Sequence, residues 1–120
     1  MAPIGDEGLR GAFKVVEEVL RGVAAGMYID MELYASRALG RPLAEIIVCD
    51  PALAFSTLRS RYGDQVVRTL FKILLRKVAG VPLYEADRLV SLLAQGSPEG
   101  FRLALRRALG LKEAKVSSST

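Results

Sequence analysis

The sequence predicts an all-α fold, a single-domain bundle of five to seven short-to-medium helices, and three observations carry that expectation. Apolar residues recur at the three- and four-residue spacing of a helix, not at the alternating spacing of a strand. Proline and aspartate fall where helices would start, and glycine where they would stop. The chain has 120 residues, 51% hydrophobic and 25% charged. That length is enough to bury roughly two thirds of the surface its unfolded form exposes.

The first helix is expected to be capped by Asp6 and ended by Gly26. Its row Leu9, Phe13, Val16, Leu20 and Val23 advances by alternating steps of four and three residues. Glu17 precedes Arg21 by one turn on the wet side, the spacing of a helical ion pair. A second segment, about Tyr28 to Leu39, sets Met31, Tyr34, Ala35 and Ala38 on one face before Gly40. Pro42 then opens the run Leu43 to Val48, rich in Ile and Val. A lone strand there would have no pairing partner, so a helical turn is expected.

Asp50-Pro51 is a strong helix start. The carboxylate can accept from the open amides of the first turn, and proline's fixed φ suits the first helical position. This helix should run to Tyr62 and stop at Gly63, with Asp64 capping the next. There Val66, Val67, Leu70, Phe71, Leu74, Leu75 and Val78 form a broad apolar face opposite Arg68, Lys72 and Arg76, closed by Gly80. This is the expected central helix, and the core should rest on Leu58, Val67, Leu70, Phe71 and Leu74. Pro82 begins a helix over Leu83 to Ala94 that carries Leu89, Val90, Leu92 and Leu93, and Gly96 follows it. Ser97-Pro98-Glu99 opens the last helix, through Leu109 to Gly110. Residues 1–115 are expected to form one domain and 116–120 a disordered tail.

Two stretches, 51–63 and 98–110, echo each other, with Pro, Leu, Arg and Gly coinciding. An amphipathic helix with proline at its start and glycine at its end accounts for much of that match. A second pattern runs from a helix ending in Leu39-Gly40 through Arg41-Pro42-Leu43-Ala44-Glu45-Ile46-Ile47 to Asp50-Pro51. Phe55, Leu58, Tyr62-Gly63 and a helix entered through Asp64 follow. In that order these residues resemble the Nitrosopumilus-type output domains and related small archaeal helical domains, over about residues 28–80. The resemblance implies a small all-helical output or interaction module in signalling, and it carries over no catalytic residue. No sensor or receiver domain accompanies the pattern here, and the last two helices lie beyond it.

Composition excludes much chemistry. The chain has no histidine and one cysteine, Cys49, so histidine-based catalysis, His/Cys zinc clusters and intrachain disulfides are excluded. The lack of disulfides and of a charged-then-apolar leader predicts a cytoplasmic protein. The strongest apolar cluster, Leu70 to Leu75, contains Lys72 and is flanked by Arg68, Arg76 and Lys77, so no membrane span is expected. Cys49 lacks a base and reads as an inert, buried thiol. Asp50 and Asp64 read as caps before they read as a metal pair. Gly5, Gly8 and Gly11 match no phosphate-binding loop. No cofactor, no metal and no enzymatic activity are expected.

What remains is surface. Net charge is +4, split unevenly, with −3 over residues 1–50 and +7 over residues 51–120. Arg68, Lys72 and Arg76 follow one another by single turns with Lys77 beside them, and Arg102, Arg106 and Arg107 repeat the theme on the last helix. If both rows share one surface they form a nucleic-acid or acidic-partner site; otherwise they are solvated helix faces, the favoured reading. So many apolar side chains are also hard to hide in one small core, which points to a partner and most simply to a homodimer. The row Leu9, Phe13, Val16, Leu20 and Val23 is the expected dimer contact. The leading function is therefore a non-enzymatic interaction or signalling-output module acting as a homodimer, with a basic DNA- or RNA-binding protein as the alternative.

Overall fold

The computed structural model describes residues 3–111. Seven helices follow one another there: α1 (Pro3–Val23), α2 (Ala25–Leu39), α3 (Leu43–Cys49), α4 (Pro51–Tyr62), α5 (Asp64–Ala79), α6 (Leu83–Ala94) and α7 (Glu99–Ala108). Among the described residues there is no strand, as the periodicity predicts. The expected tail, 116–120, lies outside the described residues.

The helix starts and stops follow from local chemistry with four exceptions. Asp50 accepts from the Leu53 amide at 3.3 Å, and Pro51 takes the first helical position of α4. Gly40 and Gly80 end α2 and α5 in the left-handed conformation, at φ 74° and 68°, where a side chain would clash with its own backbone. The first exception is Asp6, since α1 already begins at Pro3. The second is Gly26, which lies inside α2; the break falls at Ala24, whose amide closes α1 on the Leu20 carbonyl and whose carbonyl receives the Met27 and Tyr28 amides. Third, Gly63 at φ 90° holds the N-cap position of α5, so Asp64 is the first helical residue and makes no capping bond. Fourth, Pro98, with no side-chain cap bond, precedes α7.

α3 settles the strand-or-helix question. It is a helix with Leu43, Ala44, Ile46, Ile47 and Val48 all buried. Its cap comes from another helix: the Glu32 carboxylate of α2 accepts from the Leu43 amide at 3.1 Å. The Tyr28 hydroxyl donates to the same carboxylate oxygen at 3.5 Å.

One buried cluster draws on all seven helices. Phe71 of α5 stands at its centre, with Phe55 of α4 meeting it edge-on at 5.2 Å and Phe101 of α7 tilted against it at 5.6 Å. Leu58, Val67, Leu70, Phe71 and Leu74 are all buried, as expected of the core. The two echoing stretches, α4 and α7, thus lie against α5 with Leu58 and Leu105 both buried. Where α7 crosses α6, Gly100 leaves room for Leu89: a Cβ at Gly100 would come within 2.6 Å of the Leu89 side chain.

Candidate interaction surface

The apolar row of α1 points inward. Val16 is 0% exposed and Leu20 1%, both in the common core, and Phe13 and Val23 pack against that core. Leu9 is half-buried. Val16 and Leu20 have no surface to give a second chain, so of the row expected as the dimer contact only Leu9, Phe13 and Val23 keep partial exposure. The reason is that a single clean stripe on an amphipathic helix is what its own bundle needs to bury.

The α5 basic row divides. Each four-residue step along a helix turns about 40° past a full circle, so Arg68, Lys72 and Arg76 spiral around α5 instead of sharing a line. Arg68 donates to Asp64 at 2.5 Å and to the Ser91 hydroxyl of α6 at 3.4 Å. Lys72 pairs with Asp87 of α6 at 3.2 Å. The side chains of Arg76 and Lys77, both exposed, make no ion pair or hydrogen bond among the described residues. On α7, Arg102 donates to the Cys49 carbonyl at 3.5 Å and so closes the C-terminal end of α3. Arg106 and Arg107 also have partners. Arg68 and Lys72 are thus engaged with α6, and Arg102 with the end of α3. Arg59, on which the sequence reading placed no role, links three helices. It donates to Asp64 at 3.5 Å and to the Ala94 carbonyl ending α6 at 3.4 Å, and its guanidinium lies 5.2 Å over the Phe55 ring.

Cys49 is half-buried, not fully buried as expected. Burial, with Glu45 adding to it, pushes its thiol above the usual range despite Arg106, Arg41 and Arg102 nearby. It stays protonated at neutral pH, and a protonated thiol is a poor nucleophile. Asp64 makes no capping bond; hydrogen bonding from Arg68, and then from Arg59, holds its carboxyl below the usual range.

Between α2 and α4 lies a polar clasp. The Tyr62 hydroxyl and the Arg61 guanidinium both donate to Asp30, the latter at 3.3 and 3.4 Å. Arg61 lies 5.1 Å over Tyr34 and 5.5 Å over Tyr62. The Tyr34 and Ser60 hydroxyls are 3.1 Å apart. A cleft of about 360 Å³ beside the clasp is lined by Asp30, Leu33, Tyr34, Arg37 and Arg61.

Large apolar side chains stand exposed on several helices, among them Val15 of α1 at 43% and Leu83 and Tyr84 of α6 at 57% and 76%. On α2, Ile29 is 69% exposed and Leu33, one turn on, 49%. They form an outward ridge, opposite the buried Tyr28, Met31 and Ala35. Leu33 separates two depressions. One is the cleft beside the clasp; the other, about 510 Å³, is lined by Phe13, Glu17, Arg21, Glu32, Pro42 and Ala44, among others. A separate groove of about 340 Å³ runs between the α1–α2 corner and α5, with Met31 and Leu70 at its floor and Met27 and Val66 exposed. No helix among the described residues is long and apolar enough to cross a membrane. Comparison with known proteins finds no matching family model, no matching curated protein and no matching solved structure.

Proposed function

We propose that the chain is a non-catalytic helical interaction module that works as a homodimer joined through the outer face of α2. The observation that carries this reading is the Ile29–Leu33 ridge, two large apolar side chains in water on a helix whose opposite face already supplies the core. Apolar residues in excess of what one core absorbs, gathered on one face, are what a partner surface requires. The flanks add complementarity. The α1 side of the ridge carries Glu17 and Glu32 against Arg21, while the α4 side carries Arg37 and Arg61 against Asp30. A copy rotated about an axis along the ridge sets each flank against its opposite, the self-complementary condition of a two-fold interface. The resemblance over residues 28–80 to output domains in signalling agrees with a module that transmits by contact.

Light scattering of the purified chain tests the reading, at low and high salt and with a mixed-sequence duplex DNA. The expected mass is twice the 13.0 kDa of the chain, indifferent to salt and DNA, and Leu33→Glu halves it without loss of helicity. A monomer mass in the unaltered protein ends the dimer reading. A larger complex formed with DNA only at low salt puts nucleic-acid binding first, since phosphate contacts weaken steeply with salt. That second reading is weakened by the engagement of Arg68 and Lys72 with α6 and its neighbours.

A further inference from the structure

The groove between the α1–α2 corner and α5 is a second surface, separate from the α2 ridge. Its lining is Val23, Ala24, Met27, Met31, Gln65, Val66, Thr69, Leu70 and Ile73; the argument uses the α5 side. At about 100° per residue, Val66, Thr69 and Ile73 fall along one line on α5, and that line passes between Arg76 and Lys77. A second depression of about 340 Å³, lined by Ile73, Arg76, Lys77, Gly80 and Val81, continues the first through the shared Ile73. From Val66 to Lys77 the surface is about 17 Å long, three turns of helix. It is apolar over most of its length and ends between two cations that no described residue neutralises, whereas Arg68 and Lys72 on the same helix are paired. Methionine at Met27 and Met31 suits a surface that adapts to an inserted side chain.

We propose that this surface binds an amphipathic helix of another protein, apolar on one face and acidic in its first turn, lying antiparallel to α5. The apolar face covers Val66 and Ile73, and the acidic turn meets Arg76 and Lys77. Direction follows from two facts of helix electrostatics. Acidic residues stabilise the N-terminal turn of the incoming helix, and that turn must then lie at the C-terminal end of α5, where the two cations are. The assignment does not depend on the dimer, because it uses a different face.

The test titrates the full-length chain with three synthetic helical peptides of about 16 residues. All share one leucine face, with glutamates in the first turn, glutamates in the last turn, or lysines in the first turn. Affinity is read by fluorescence anisotropy and location by amide shifts. The first peptide should bind about tenfold more tightly than the third, the effect of two exposed charge pairs. It should also outbind the second, shift the Val66, Thr69 and Ile73 amides, and lose much of its advantage in high salt. Combined Arg76→Glu and Lys77→Glu should reverse the preference while helicity is unchanged. Equal affinities, no binding by any peptide, or shifts confined to Ile29 and Leu33 would overturn the proposal. So would a halved solution mass in folded Val66→Asp, because the groove would then hold a second copy. Halved mass in Leu33→Glu with peptide binding intact supports this surface and the dimer separately, and a monomeric native chain that still binds the peptide removes only the dimer.

Discussion

α1 and α2 are consecutive helices with a one-residue break between them, and they spend their apolar residues differently. α1 keeps one stripe, in which Val16 and Leu20 vanish into the core, and among the described residues leaves only the small Val15 off it, 43% exposed. α2 is apolar on opposite sides: Tyr28, Met31 and Ala35 face inward while Ile29 and Leu33 face water. The difference teaches where to look for a partner surface. A regular stripe on an outer helix is evidence of burial within the chain, since the bundle covers the face turned toward it. Large apolar residues off the stripe are the ones the fold leaves over.

The sharpest way to break this contrast is to truncate each helix on its own terms. Leu20→Ala removes a fully buried side chain and should cost about 2–5 kcal/mol, read from the urea unfolding midpoint. Ile29→Ser, at a position more than two thirds exposed, should stay within about 0.5 kcal/mol of the parent. If the two costs come out equal, Ile29 is covered in the folded chain and the ridge is not a surface. Because a dimer's stability depends on protomer concentration, the comparison belongs at a concentration where both proteins have the same mass.

A smaller effect tests how α3 and α4 are joined. Asp50→Ala removes the acceptor for the Leu53 amide and should cost about 1 kcal/mol, with Asp50→Asn restoring most of it. An unchanged midpoint for Asp50→Ala would mean that Pro51 alone sets the start of α4.

Much of the fold was legible because it rests on local chemistry. The limits of α4, α5 and α6, and the core on Phe71 and its neighbours, follow from periodicity, Asp50-Pro51 and the glycines. What escaped was decided between helices. Nothing at Ala24 marks a break; it is the packing of Tyr28 and Met31 on one side and Leu20 on the other that turns the chain there. Glu32 caps α3 across a gap of eleven residues, and Asp64, expected to cap, is taken by Arg68 and Arg59. The partners of the basic rows escaped for the same reason. Spacing along one helix says which cations are neighbours, but not that Asp87 and Ser91 wait on the next helix. In the α1 row, likewise, periodicity reports an apolar face without reporting what lies against it.

The smallest expected effect is also the one that bears on the outward edge of α2. Hydrogen bonding from Tyr62, and then from Arg61, holds the Asp30 carboxyl below the usual carboxylate range. A carboxyl lowered in the folded state adds stability at every pH above its unfolded value, about 3.9, and loses it as pH falls through the folded one. The α2–α4 clasp should therefore be intact from neutral pH down to about pH 5 and weaken below about pH 4. Asp30→Asn, which cannot ionise, should unfold at a lower urea midpoint than the parent at pH 7, and the gap should close in acid. Tyr62→Phe keeps the ring over which Arg61 lies but removes the donor, so the Asp30 titration followed by NMR should move upward toward its ordinary value. A gap that persists unchanged to pH 2 would assign the Asn effect to lost shape instead of lost charge. Asp30 would then be a packing residue beside the ridge and not an electrostatic tie between α2 and α4.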